Sequence, residues 1–99
     1  MALVARIKPR AEHEILKATR WWRDNRPAAP GAIESDLNAA IGALIEQPGI
    51  GSRVENARDP ATRRLYLART KYFVYYRHKG NFLEVVAFWH SSRDVEPSV

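Results

Sequence analysis

The apolar positions at the start of the chain change from strand-like alternation to a helical period. Leu3, Ala5 and Ile7 alternate with the other residues of their segment, which predicts a short strand over Leu3–Lys8. Pro9 ends that strand and is tolerated at the first position of a helix, which we expect to reach about Asp24. One face of this predicted helix is apolar and consists of Ala11, Ile15, Ala18 and Trp22.

A second apolar stripe predicts a second helix that runs from about Ala28 to Glu46. Its members are Ile33, Leu37, Ala40, Ile41, Leu44 and Ile45. Asn25–Pro27 forms the turn between the helices, and the Pro48–Gly51 segment ends the second one. Two amphipathic helices joined by a short turn form an antiparallel hairpin, whose joint apolar face must cover another apolar surface.

Three segments in the second half are rich in aromatic and β-branched residues, and each predicts a strand. They are Arg63–Arg69, Tyr72–His78 and Phe82–His90. A turn at His78–Asn81, where Gly80 can adopt a positive φ, and a tight connection at Thr70-Lys71 make these strands an antiparallel meander. We expect Met1–Lys8 to add a further strand, at an edge of the sheet or beside the last strand.

The predicted fold class is α+β. The element order β-α-α-β-β-β gives an antiparallel sheet with the two-helix hairpin packed on one face. The 99 residues fit one domain with one core. Residues 1–90 are expected to form that single domain, and residues 91–99 are expected to form a polar C-terminal tail that frays.

The chain lacks features that define several other classes of protein. No apolar run approaches the roughly 20 residues needed to span a bilayer. Met1–Arg10 carries three basic groups and no long apolar stretch, so no secretory signal is expected. The absence of cysteine excludes a disulfide framework, a CxxC redox motif and a cysteine-rich zinc site. We therefore expect a cytoplasmic protein with no membrane partner.

The positive charge is unevenly placed along the sequence. The formal net charge is +5, yet residues 53–79 alone hold eight basic and two acidic residues. The rest of the chain is therefore close to neutral. A concentrated basic patch indicates an acidic partner, either a nucleic acid or an acidic protein segment, and the alternative is a solvated face that aids solubility.

Strand alternation places basic and aromatic side chains together on the predicted sheet. If Leu65 and Leu67 contact the helices, Arg64 and Tyr66 lie on the open face. The next strand adds one of its two alternate sets, either Tyr72, Val74 and Tyr76 or Phe73, Tyr75 and Arg77. Interleaved basic and aromatic residues on an exposed sheet suit the binding of a nucleic acid or a peptide.

Several short strings follow one another in a specific order along nearly the whole chain. They are Ile7-Lys8-Pro9-Arg10-Ala11, Trp21-Trp22, Leu44-Ile45-Glu46-Gln47-Pro48, Arg64-Leu65-Tyr66-Leu67, Tyr72-Phe73-Val74-Tyr75-Tyr76-Arg77 and Val85-Val86-Ala87-Phe88-Trp89-His90-Ser91-Ser92-Arg93. With the order of elements, these strings resemble the RelE/ParE superfamily, the toxins of type II toxin–antitoxin (plasmid stabilisation) systems. The resemblance implies a cognate antitoxin that wraps the toxin, and contact with DNA only through the antitoxin complex.

This superfamily has two functional branches. RelE-like members cut messenger RNA on the ribosome with basic residues on the open sheet face, whereas ParE-like members bind DNA gyrase. By the resemblance, Arg64 stands at the first of two basic positions, Tyr66 at the second, and Phe73 where RelE-like members have an arginine. Phenylalanine cannot carry a proton or pair with a phosphate, so the nuclease set is incomplete. The ParE-like branch is favoured, with DNA gyrase as the target.

The resemblance also selects the second of the two alternate sets for the open face. The predicted partner-binding residues are therefore Arg64, Tyr66, Phe73, Tyr75, Arg77 and Trp21. For Trp21, partner contact and packing beside Trp22 remain equal alternatives. No cofactor, metal ion or small-molecule substrate is expected, and the histidines His13 and His78 lack the spacing of a metal site.

A nuclease would need other groups, and the candidates for catalysis are Arg64, His90 and Arg93. Some nuclease members of the superfamily use a histidine near the position of His90 as an acid or base, although a strand-end histidine that caps or packs is the simpler interpretation. Three functions stay open at this point. They are a gyrase-binding toxin, a ribosome-dependent endoribonuclease, and a toxin-like interaction domain without toxicity.

Overall fold

A computed structural model describes residues 3–99, which form two helices and five strands. The elements are β1 (Val4–Ile7), α1 (Pro9–Asn25), α2 (Ala32–Glu46), β2 (Ser52–Arg53), β3 (Arg63–Leu67), β4 (Tyr72–Lys79) and β5 (Phe82–His90). The α+β class and the packing of both helices on one sheet face are confirmed. The two-residue strand β2 was not predicted. The first two residues of the predicted Met1–Lys8 strand lie outside the described residues.

Helix α1 begins where the sequence predicts. Pro9 stands in its first turn, where the missing N–H has no partner in any case. The predicted apolar stripe faces the sheet, since Ala11 and Ala18 are buried, and Ile15 and Trp22 pack against the same core. Within residues 3–99 neither helix is both long and apolar enough to cross a membrane.

Helix α2 begins at Ala32, later than the predicted start at Ala28. Pro30 disfavours helical backbone in the residue before it, and Gly31 is costly inside a helix, so the chain turns through this stretch instead. Four of the five residues that α2 buries belong to the predicted stripe, namely Ile33, Leu37, Ala40 and Leu44, and the fifth is Ala32 at its start.

The strand order in the sheet is β1-β5-β4-β3-β2. Strands β3, β4 and β5 form the predicted antiparallel meander, and β1 lies beside β5 at the edge but runs parallel to it, so the sheet is mixed. The β1 pairing ends at Val85. Beyond that point a side chain replaces the neighbouring strand as hydrogen-bond partner of β5, because Glu14 Oε1 accepts the backbone N–H of Phe88 at 2.9 Å.

Strand β5 contains a bulge that changes its alternation. Tyr75 pairs with Ala87 and Tyr76 pairs with Val85, so Val86 has no residue opposite it on β4. An extra residue of this kind shifts the inward and outward positions on either side of it. This explains why four successive residues, 85 to 88, are all buried.

Tyr76 joins the sheet to the segment that follows α2. Its buried hydroxyl accepts the backbone N–H of Gly51 at 2.9 Å and donates to Pro48 O at 2.7 Å. Burial raises the pKa of the Tyr76 phenol. A Cβ atom at position 51 would lie 2.5 Å from Tyr76 Oη and 2.7 Å from Arg64 O, so only glycine fits here.

Candidate partner-binding face

The sheet face remote from the helices carries five of the six predicted partner-binding residues. β3 contributes Arg64 and Tyr66, and β4 contributes Phe73, Tyr75 and Arg77. The register pairs Arg64 with Tyr75 and Tyr66 with Phe73, and directly paired side chains lie on the same face of a sheet. We call these five residues the basic face.

Arg64 is held in place by its aromatic neighbours. Its guanidinium carbon lies 4.2 Å from the centroid of the Phe73 ring, and its Nη1 donates to Tyr75 Oη at 3.2 Å. The ring centroids of Tyr66 and Phe73 are 5.1 Å apart. The hydrogen bond to Tyr75, together with the Glu96 carboxylate, raises the pKa of Arg64. This cation is therefore fixed in position and in charge.

The aromatic residues of the basic face differ widely in exposure. Tyr66 is 45% exposed, whereas Tyr75 is only 1% exposed and packs with Val86, Ala87 and Val99. Tyr75 was expected to offer its ring to a partner. In this arrangement the ring is covered, and its contribution to the face is the hydroxyl that supports Arg64.

The C-terminal segment covers the basic face. Residues 91–99 were expected to fray, whereas in the structure Pro97 and Val99 are buried and Glu96 Oε1 lies 3.2 Å from Arg64 Nη1. The sheet face around Arg64, Tyr75 and Arg77 is consequently covered, whereas the sequence analysis expected an open face. We call Val95–Val99 the C-terminal strap.

Arg77 has a structural role that the sequence did not suggest. Its Nε donates to Thr62 Oγ1 at 2.9 Å, and its Nη2 donates to Val99 O at 2.5 Å. Asp59 Oδ2 lies 3.5 Å from Arg77 Nε. The Arg77 side chain is only 18% exposed, so it ties the β2–β3 loop and the strap to the sheet instead of projecting into solvent.

The β2–β3 loop is fixed by a charged cluster around Asp59. Lys79 Nζ lies 2.8 Å from Asp59 Oδ2, and the backbone N–H of Ala61 donates to Asp59 Oδ1 at 2.9 Å. The hydrogen bond from Lys79, followed by that from Ala61, lowers the pKa of Asp59. Between this loop and the strap lies a polar cleft of about 280 Å³, which is lined by Arg53, Val54, Glu55, Asn56, Arg64 and Glu96.

His90, a candidate for catalysis, lies on the other side of the sheet. Its ring contacts Tyr72 edge-on at 4.9 Å, and Tyr72 packs against the core under the helices. Arg93, the third candidate, stacks 3.4 Å over the ring of Trp89. Arg64 and His90 therefore occupy opposite faces and do not form one acid–base set.

Trp21, the sixth predicted contact residue, lies apart from the basic face. It is 48% exposed, and its ring packs edge-on against Trp22 at 6.1 Å, while its contact with a partner stays a prediction. With Tyr72 and His90 it lines two adjoining cavities of about 220 and 470 Å³. We call this second surface the helix-side groove.

These observations define a class of protein. It is a small basic α+β domain with basic and aromatic side chains on the sheet face remote from the helices, and across residues 3–99 no group of three or more His, Asp or Glu side chains could hold a metal ion. A sequence family described as the ParE toxin of the type II toxin–antitoxin system parDE matches residues 5–95. The chain belongs to this ParE toxin family, as its sequence strings indicated.

Structural comparison gives the same fold. The chain is similar to a chain of the chromosomal ParDE toxin–antitoxin system from P. aeruginosa, with a TM-score of 0.71 and 15% sequence identity. The match covers 90% of this chain and 96% of that chain. No curated protein sequence matches the chain significantly.

Proposed function

We propose that this ParE-family toxin acts in the cytoplasm by binding DNA gyrase, without chemistry of its own. The observation that carries the proposal is the composition of the basic face. Arg64 provides a fixed cation, while Tyr66 and Phe73 occupy positions where the nuclease branch needs further basic groups. Such a face is suited to contact and unsuited to proton transfer.

The arrangement around Arg64 favours tight contact with a protein. Arginine and tyrosine are frequent among the residues that dominate binding energy at interfaces. Arg64 is already ordered by Phe73 and Tyr75, so less side-chain entropy is lost when it binds. Tyr66 stands exposed beside it.

A ribosome-dependent nuclease is the weaker alternative. Arg64 and His90 lie on opposite sides of the sheet, and Phe73 can neither donate nor accept a proton. His90→Ala is therefore expected to leave toxicity largely intact. Loss of toxicity in a folded His90→Ala variant that still binds the antitoxin would favour the nuclease.

A cognate antitoxin is the second partner that we propose. The net charge of +5 and the basic residues between 53 and 79 suit a partner with an acidic segment. Trp21 in the helix-side groove supplies exposed aromatic surface that such a partner could cover. DNA would be contacted only through the antitoxin complex, and neither a membrane nor a small-molecule substrate enters the proposal.

Brief induced expression tests the choice of target. A DNA-damage reporter should respond before any cleavage of messenger RNA, and purified gyrase should be retained by the immobilised protein. The Arg64→Ala/Tyr66→Ala double variant should bind gyrase at least about tenfold more weakly, whereas Arg20→Ala on the exposed surface of α1 serves as the control. Early messenger RNA cleavage without DNA damage would overturn the proposal, and harmless accumulation of folded protein would favour the non-toxic interaction domain.

A further inference from the structure

The C-terminal strap contacts the domain as a bound peptide would. Its side chains alternate, since Pro97 and Val99 are buried whereas Val95 is 67% exposed and Ser98 is exposed. Val99 packs into the apolar cluster that contains Tyr75. Burial at every second residue is what an extended peptide shows on a sheet face.

The donor and acceptor roles are the same in all polar contacts between the strap and the rest of the domain. In each, the strap supplies the acceptor and the domain supplies the donor. The pairs are Glu96 Oε1 with Arg64 (3.2 Å), Ser98 O with Arg10 (2.6 Å) and with Arg58 (3.4 Å), Val99 O with Arg77 (2.5 Å), and Val95 O with the indole N–H of Trp89 (2.8 Å). The donors of the domain therefore form a cradle for an extended segment with one side-chain carboxylate.

The attachment of the strap is weak by comparison with that of a strand. The strap belongs to neither a helix nor a strand, and the Glu96 side chain that pairs with Arg64 is 61% exposed. Exposed ion pairs contribute little to stability. Segments with few buried contacts open locally at a much lower free energy than the core does. The strap should consequently detach while the domain stays folded.

We propose that the C-terminal strap is an internal ligand that occupies the partner site of the basic face. The partner segment that displaces it has the same chemistry: an extended peptide with a carboxylate, an apolar residue directly after it, and a second apolar residue two positions further on. This inference rests on the proposed role of the basic face in partner binding. The buried positions of Pro97 and Val99 favour a peptide over a nucleic acid, because phosphates would leave that apolar site unfilled.

Displacement has a consequence for affinity. A partner binds only chains whose strap is open, so its apparent affinity is reduced by the fraction of chains that are open. Opening also uncovers the ring of Tyr75 and frees the guanidinium of Arg64. The strap thereby selects for partners that replace its contacts.

A peptide with the sequence of residues 92–99 is the probe. The full chain with Glu96→Lys and Val99→Ser has a weakened strap, and Val95→Ser, at an exposed strap position, is the matched control. The weakened variant should bind the peptide at least about tenfold more tightly than the wild type and the control do. Exchange of the Trp89 indole N–H, followed by NMR, should accelerate by about the same factor in the weakened variant. A peptide carrying Glu96→Lys should bind neither protein.

Several results would overturn the inference. They are equal peptide binding by the wild type and the weakened variant, no binding by the folded variant, and preferential binding of a single-stranded oligothymidylate. If the weakened variant does not fold, hydrogen exchange of the wild type decides. A Trp89 indole N–H that exchanges as slowly as the β4 amides contradicts a displaceable strap, because this N–H donates to Val95 O, and faster exchange supports it. If the protein does not bind gyrase but the peptide result is positive, only the proposed gyrase target is contradicted and the inference about the strap stands.

Discussion

Substitution of Arg77 tests the structural role that the sequence did not predict. Arg77→Ala removes the donor to Thr62 Oγ1, the donor to Val99 O, and a partner of Asp59. Thr62 is fully buried, so its hydroxyl would lose a charged partner without gaining water. A hydrogen bond to a charged group contributes about 1.5–3 kcal/mol. The pair with Asp59 is partly exposed and adds little to this. The bond to the buried Thr62 therefore sets the expected loss in the free energy of unfolding, which is about 1.5–3 kcal/mol.

Urea denaturation followed by circular dichroism measures this loss. The midpoint should fall while the slope stays unchanged, since the surface exposed on unfolding is nearly the same. In thermal unfolding the melting temperature should fall by about 6 °C or more, because about 1 kcal/mol corresponds to about 4–8 °C in a domain of this size.

Two matched variants make the test specific. Arg64→Ala removes the same side chain from the same face but should cost less than Arg77→Ala, because the Arg64 side chain is more exposed and pairs with the exposed Glu96. Arg77→Lys should recover only part of the loss, since an ammonium lacks the planar fork that reaches both Thr62 and Val99. If Arg77→Ala is no more destabilising than Arg64→Ala, the assigned role of Arg77 is wrong.

Three further substitutions test individual contacts. Gly51→Ala should cost about 2–3 kcal/mol in urea denaturation, because its methyl group would overlap the Tyr76 hydroxyl, and an unchanged midpoint would contradict this packing. Asp59→Asn should lower the melting temperature at neutral pH. Because the pKa of Asp59 is lowered in the folded state, its contribution to stability is complete above the unfolded pKa and is lost as the pH falls through the folded value. The melting temperatures of the two proteins should therefore converge below about pH 4. A difference that stays constant with pH would argue against the Lys79 pair. Glu14→Ala should cost about 1–3 kcal/mol by leaving a backbone N–H of β5 without its acceptor, and Glu14→Gln, which keeps an acceptor, should cost less than half of that.

The elements that the sequence predicts best are those whose pattern is set locally. The span Phe82–His90 was predicted as observed, because aromatic and β-branched residues follow a sharp turn at Gly80, whose φ is +57°. The start of α2 was predicted too early, at Ala28 instead of Ala32. Pro30 and Gly31 disfavour helical backbone, and this local effect decides where the helix begins. The bulge at Val86 leaves no sequence signal, because it lies within a continuous apolar run.

The covering of the basic face could not be predicted from local sequence. Val95, Pro97 and Val99 do alternate, which is the one signal that the strap gives. Whether such a segment docks depends on acceptors and donors that lie far apart in the chain, such as Val99 and Arg77. The face of β3 was assigned correctly from the period of its two leucines, whereas the correct set on β4 was selected by the family resemblance. The exposure of those faces depends on tertiary contacts.

The concentration of positive charge overstates how many cations are free to bind a partner. Within residues 53–79 most of the basic side chains have an internal acceptor or acid. The pairs are Arg63 with Gly51 O, Arg64 with Glu96, Arg69 with Asp36, and both Arg77 and Lys79 with Asp59. A partner must therefore replace these acceptors, so binding exchanges contacts that already exist. Exchange of this kind releases fewer counterions than neutralisation of free charges, and affinity should depend on salt less steeply than the sequence charge suggests.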